Sequence, residues 1–171
     1  MNTEERRKKV VKAISSSDAP VSAATLAQKF NVSRQIIVGD VALLRAEGAD
    51  IVATPRGYIL ESMEGSGHPY IGTVAVKHDS EGTRREMYIV ADHGGTVIDV
   101  TVEHSVYGQL SGHLNISSRI EVDEFCEKIA NENSKPLSDL THGIHTHRIG
   151  CPSKDIFDRI TAALEKEGFL V

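Results

Sequence analysis

Apolar residues recur along this chain with two different periods, and the places where the period changes mark its elements. Val10, Val11 and Ile14 form one stripe of a helix from Thr3 to about Ser16. Leu26 and Ala27 belong to a short second helix that Ser22 caps and that stops near Asn31. Ser33 opens a third helix, in which Ile37, Val41 and Leu44 recur at i, i+4 and i+7 and point inward, while Gln35, Val38, Gly39 and Ala42 face away. Gly48 stands where a glycine ends a helix. Ile51-Val52-Ala53 and Tyr58-Ile59-Leu60 then flank Thr54-Pro55-Arg56-Gly57, a turn signal between two short strands. A helix, a helix-turn-helix and a hairpin predict a winged helix over residues 1–62. In such a domain the second helix of the turn enters the major groove, which makes Ser33, Arg34, Gln35 and Val38 the expected DNA-contacting residues. Arg56, at the wing tip, is expected on a phosphate or in the minor groove.

After a polar, glycine-bearing stretch from Glu61 to His68, a fair linker, the periods alternate. Strands are predicted over Tyr70–Lys77, Thr96–Val102, Leu110–Ile116 and Ile144–Ile149. Helices are predicted over Ser80–Ala91, from Ser118 (with Glu121 in a capping box and Val122, Phe125, Cys126 and Ile129 on one face), and from about Ser153 to Gly168. Residues 68–171 therefore read as an α+β domain of ferredoxin-like type.

Charge separates the two parts. Residues 1–60 hold nine Lys/Arg against six Asp/Glu; the remainder holds ten against eighteen. The basic part is the one with the DNA-binding pattern. Its run Arg6-Arg7-Lys8-Lys9 is read equally as a solvated helix face or as phosphate contact. Cys126, on a helical apolar face, and Cys151, in a loop, are read as buried or idle thiols. No apolar run approaches the ~20 residues that cross a bilayer and no signal peptide opens the chain, so a cytoplasmic protein is expected.

The chemistry of the second part is histidine. All eight histidines lie after residue 67. Residues two apart on a strand share a face, so His145 and His147 can converge on one ion, with His78 and Glu86 as candidate further ligands. Imidazole binds zinc, nickel, copper and iron alike. Exposed strand histidines are the plain alternative. His68 and His93 are expected to be idle, Arg119 to make a surface salt bridge, and Arg148 to be available to a ligand carboxylate.

The stretches SRQIIVGDVALLRAEG, TPRGYIL, EMYIVADHGGTVIDVTVEHSVYGQL, VDEFCEKI and PLSDLTHGIHTHRI resemble, in order, those of the niacin-responsive transcription repressors of bacteria, a winged helix joined to a three-histidine domain. The resemblance implies that His104, His145 and His147 are the three histidines of the name. It also implies a divalent-metal site on His78, Glu86, His145 and His147, with nickel or zinc as the ion. It further implies a homodimer with nicotinic acid as co-repressor, which would meet a palindromic double-stranded operator; Tyr107 and Gly108 beside His104 suggest a shaped pocket wall, with His104 and Tyr107 around the ligand's ring. Gly39 departs from the longer polar residue usual on the exposed face of such a helix, and His113 and His142 have no counterpart. No catalytic residue is assigned. Two other functions fit the residues: a regulator for which the ion itself is the signal, and a hydrolase whose metal activates water.

Overall fold

The computed structural model describes residues 1–61 and 67–171. Its contacts cluster into two units, Met1–Ser66 and Gly67–Val171. Most of the expected linker, residues 62–66, lies outside the described residues.

The first unit runs α1 (Thr3–Ser15), α2 (Ala23–Phe30), α3 (Arg34–Ala46), β1 (Ile51–Thr54) and β2 (Gly57–Leu60). Ser22 and Ser33 cap α2 and α3 by accepting from the amides of Thr25 and Ile36. Asn31, at φ 53°, ends α2 in the left-handed region that Asn tolerates. Val10, Ile14, Leu26, Ile37, Val41 and Ile51 are buried together, the inward stripes that the periodicity predicts. β1 and β2 pair antiparallel around the Thr54–Gly57 turn, and Val21 exchanges backbone hydrogen bonds with Tyr58 to brace the hairpin.

One polar contact fixes how α3 is turned. Asp40, on the inward side of α3, is 4% exposed. Arg6 of α1 meets it with two hydrogen bonds, Nε to Oδ2 at 2.6 Å and Nη2 to Oδ1 at 3.1 Å. A carboxylate is buried only where such donors replace its water. Arg6 is thereby taken by the fold, and within the same basic run Lys8 pairs with Glu4 one turn away.

The second unit runs β3 (Tyr70–Lys77), α4 (Gly82–Asp92), β4 (Thr96–His104), β5 (Gly108–Ile116), α5 (Arg119–Asn131), β6 (Ile144–Cys151) and α6 (Lys154–Lys166), the β-α-β-β-α-β succession followed by a helix. The sheet has the order β3-β6-β4-β5, and every neighbouring pair is antiparallel. Side chains alternate across it. Val74, Val76, Ile149 and Leu114 face the helices and pack with Met87 and Val90 of α4, Val122 of α5 and Ile160 and Leu164 of α6. Ile71, Thr73, Ala75, Lys77, Arg148 and Ser111 lie on the opposite, exposed face. At its edge β3 also takes the C-terminus: the Lys77 amide donates to Phe169 O at 2.7 Å and the Val171 amide to Ala75 O at 3.1 Å.

Three details differ from the sequence reading. Cys151, expected in a loop, is the buried last residue of β6. The Glu121 carboxylate takes the amide of Ser117 at 2.9 Å, while Ser118 caps α5 from the other side. A 3₁₀ helix over Leu137–Thr141 has no counterpart in the predicted elements, because five residues are too few to show a helical period.

Gly39 is a mid-helix glycine for which the fold supplies no steric reason, since a Cβ there would meet nothing within 4 Å. Gly39→Ala is therefore expected to stabilise the first unit by about 1 kcal/mol through helix propensity alone. Denaturant unfolding followed by circular dichroism checks this; an unchanged or lowered midpoint would show that the glycine serves the fold.

Candidate metal centre and nucleic-acid interface

Four residues, from α4, β6 and the loop after β3, meet under α4. His145 and His147 alternate on β6 and so share the helix-facing side, where they are 4% and 2% exposed. Glu86, on the inward face of α4, is 1% exposed and projects between them. His78 follows the end of β3. Its Nε2 makes a short contact with Glu86 Oε2, and His145 Nε2 lies 3.2 Å from the same oxygen. His147 Nε2 lies 3.0 Å from the other oxygen, Oε1. The ligand-type atoms of His78, Glu86 and His145 all fall within 4.8 Å of one another.

The other ring nitrogens decide what these contacts are. His78 Nδ1 is 2.7 Å from Asp79 O, His145 Nδ1 2.8 Å from Gly143 O, and His147 Nδ1 2.7 Å from Asp99 O. A carbonyl oxygen only accepts, so each Nδ1 carries a proton and donates it. A neutral imidazole has one proton, which leaves each Nε2 as a bare lone pair aimed at a carboxylate that also only accepts. Three lone pairs facing an anion demand positive charge, either as protons on the rings or as a cation among them. Among the described residues Glu86 Oε1 and His147 Nε2 are buried side-chain atoms without a hydrogen-bond partner. A divalent ion satisfies both at once, and three nitrogens with one carboxylate oxygen form a donor set suited to zinc or nickel. Backbone carbonyls on the outer nitrogens are the usual support for metal-binding histidines.

The fold holds this geometry by close approach of backbone. Gly143 has φ +93°, and a Cβ on it would sit 2.2 Å from His78 O. Asp99 lies at a register shift where β4 pairs with both neighbours. Its carbonyl orients His147, and its carboxylate receives Arg148 Nε at 2.7 Å. Arg148 is thus engaged by Asp99, and Arg119 pairs with Asp92 as a surface salt bridge. Burial alone would raise the Glu86 carboxyl, but attraction to His147, His145 and His78 outweighs it and holds the carboxyl well below its ordinary value. Burial likewise opposes charge on His147 and His78, and Glu86 overcomes it, so both rings hold a proton to higher pH than usual.

A small cavity of about 30 Å³ adjoins the cluster. Glu86, His145 and His147 form its polar end, and Met87, Val100, Leu114, Phe125 and Leu137 line it with apolar surface. His104 and Tyr107, expected as pocket walls, are not among its lining residues. His104 ends β4, and its Nδ1 accepts from the amides of Val106 and Tyr107 at 3.1 and 3.2 Å, closing the turn into β5. Tyr107 is 74% exposed. Residues that sequence reasoning missed are Asp99, Gly143 and Thr83; of these only Gly143 carried a signal, as a glycine preceding a histidine-bearing strand. His93, expected to be idle, holds Ile89 O through Nδ1 at 2.7 Å.

In the first unit Arg34, Gln35 and Val38 are exposed on α3 immediately after the Ser33 cap, and Arg56 is exposed at the wing turn. A winged helix joined to a second domain with a buried histidine–carboxylate cluster defines the class: a two-domain DNA-binding regulator. The HTH domain family matches residues 6–59 and the 3H domain family residues 71–171. The "Probable transcription repressor NiaR" of Thermotoga maritima is 42% identical over 168 residues, 98% of this chain and 94% of that protein. The "Transcription repressor NadR" of Bacillus subtilis is 37% identical over 167 residues, 97% and 93% of the two chains. The chain belongs to the 3H-domain family of niacin-responsive transcription repressors.

Because protons and a cation compete for the same three Nε2 lone pairs, cation affinity is expected to fall with pH. The fall should begin above the ordinary histidine value of 6.5, since His78 and His147 are both raised from it. Calorimetric titration of the chelator-treated protein with Zn²⁺ or Ni²⁺ across pH 5 to 8 tests this. The same titration on His147→Ala should show binding weakened by at least tenfold. Uptake indifferent to pH and to that substitution would remove the cluster as the cation's site.

Proposed function

We propose that this protein is a ligand-gated repressor in which nicotinic acid is the co-repressor and a divalent transition metal, nickel or zinc, is part of the sensor. The observation that carries this reading is the set of three imidazole lone pairs facing the single buried carboxylate of Glu86, on a chain that also bears a winged helix. His78, Glu86, His145 and His147 would hold the ion. When bound, it would supply the local positive charge that a carboxylate needs on leaving water. The second half of the chain is otherwise acidic, with eighteen Asp/Glu against ten Lys/Arg, so its general field does not supply that charge. The side chains beside the cluster, Phe125 and Leu137 among them, are apolar, and they would have to part for an aromatic ring to reach the ion.

On the DNA side, Ser33, Arg34, Gln35 and Val38 would meet the major groove, and Arg56 the backbone or minor groove. A homodimer would set two α3 helices about 34–36 Å apart on a palindromic operator. Nicotinic acid would favour that arrangement only as far as it binds it more tightly than the alternatives. A regulator answering to the ion alone uses the same residues, and it differs in being indifferent to the acid.

Arg34→Ala and Gln35→Ala are expected to weaken operator binding by about 1–3 kcal/mol each where they read a base, without lowering the melting temperature. Arg56→Ala should weaken all sequences alike and flatten the salt dependence. Electrophoretic shift titrations at two salt concentrations check both, and unchanged affinity in all three variants would exclude docking through α3 and the wing.

A second measurement addresses the ligand. Nicotinate should raise operator affinity, nicotinamide should do so far less because its amide carries no charge, and chelator should abolish the effect of nicotinate. Equal responses to acid and amide, or a response that survives chelation, would place the ligand away from the cluster. A response to metal with none to nicotinate would favour the ion as signal.

A further inference from the structure

The outward side of α3 carries little hydrogen-bonding chemistry. Between Arg34 and Arg45 the helix has one charged residue, Asp40, and that one is buried and held by Arg6. The exposed positions in this stretch are Gln35, Ile36, Val38, Gly39, Ala42 and Leu43, and of these only the Gln35 side chain can donate or accept. Ile36, Val38 and Leu43 are 43%, 42% and 49% exposed. Large apolar side chains grouped on one helix face belong against a partner. Two observations point to DNA as that partner: residues 6–59 match the HTH domain family, and this half of the chain is the basic one. Gly39 sits in the middle of the face, one turn from Gln35 and one turn from Leu43. A glycine there costs helix stability, yet a Cβ would meet nothing within 4 Å, and no positive φ requires it. The fold gives no reason for the glycine, whereas the close approach of another molecule to the helix backbone would.

We propose that the middle of α3 reads thymine methyl groups in the major groove, with Val38 and Ala42 packing on them and Gly39 letting the helix backbone come close enough for that contact. This rests on the reading that α3 docks in the major groove, and it names what the helix recognises there. Base pairs present donors and acceptors in that groove and, at thymine, the C5 methyl. A face whose only polar side chain is Gln35 has nothing to pair with the donors and acceptors beyond its first turn. It gains by burying the methyl instead. Polar readout is then confined to Ser33, Arg34 and Gln35 at the start of the helix, and the pairs opposite Val38 and Ala42 are A·T pairs. A side chain longer than glycine at position 39 would hold the helix away from them.

The probe is the duplex that the full-length protein itself selects from a randomised pool, with Zn²⁺ present and with or without nicotinate. Thymine is expected among the positions common to the selected half-sites. Replacing each such thymine by deoxyuridine, which removes only the methyl, should weaken binding about fourfold where the methyl is contacted, the effect of one buried methyl-sized group. In Val38→Ala the penalty should vanish at one of those positions. Gly39→Ala should raise the unfolding midpoint and yet bind the selected duplex about tenfold more weakly, while its affinity for a scrambled duplex of the same length stays at the wild-type level. Deoxyuridine duplexes bound as tightly as the thymine ones, or a Gly39→Ala protein with full affinity for the selected duplex, overturn the proposal. If Arg34→Ala and Gln35→Ala still weaken binding in that case, the docking of α3 stands without it. A pool that yields no preferred sequence, or wild-type affinity in Arg34→Ala and Gln35→Ala as well, refutes the docking reading and the proposal with it.

Discussion

The second domain depends on one buried carboxylate. Glu86 is surrounded by three imidazoles whose only neutral-state protons are already donated to the carbonyls of Asp79, Gly143 and Asp99. A buried anion facing lone pairs is unfavourable until positive charge enters, and the protein arranges everything nearby around that requirement. Gly143 brings its backbone against His78, the register shift at Asp99 brings a carbonyl to His147, and Phe169 packs on the His78 ring with centroids 4.9 Å apart. Rings so held cannot turn their Nε2 atoms away to find other partners. If an ion binds here, it would find the donors already in place, an arrangement that selects for geometry as well as for charge.

The first domain uses a smaller version of the same device. Asp40 is buried on α3 and compensated by the two donors of Arg6 from α1. An apolar stripe alone allows a helix to rotate by a fraction of a turn, whereas a carboxylate bound at two points does not. This contact orients α3 so that Arg34, Gln35 and Val38 are exposed together. A basic run that suggests phosphate contact thus divides its work: Arg6 serves the fold, and Lys8 pairs within α1.

What was legible in the sequence follows from range. Caps and stripes are local, so Ser22, Ser33 and the Ile37, Val41 and Leu44 series placed α2 and α3 correctly. The alternation of His145 and His147 is also local, and it put both on one face of β6. Their meeting with Glu86, 59 and 61 positions earlier in the chain, depends on sheet order and helix packing, which no spacing encodes. His78, just past a strand end, and Glu86, on the next helix, could for that reason be named only as candidate ligands, which the family resemblance then joined to the pair. The same resemblance grouped His104 with His145 and His147, whereas the histidine that the structure brings to them is His78. Asp40 and Asp99 escaped notice because a lone acidic residue in an apolar pattern shows nothing of the arginine that will meet it.

α4 is where the parts of the histidine–carboxylate cluster come together. Its inner face presents Glu86 to the histidines and Thr83 to the adjoining cavity, and Met87 and Val90 pack in the core. Its outer face is tied by Arg84 to Asp123 of α5 and by Arg85 to Glu167 beyond α6, exposed pairs of the kind that contribute at most about 1 kcal/mol each. The apolar packing, far more than these pairs, keeps α4 in place. Were a ligand of this domain to control DNA binding, no dedicated pathway would be needed: it would be enough that the α4 position favoured by the ligand also be favoured in the DNA-bound protein, and the free energy of that preference would limit the effect.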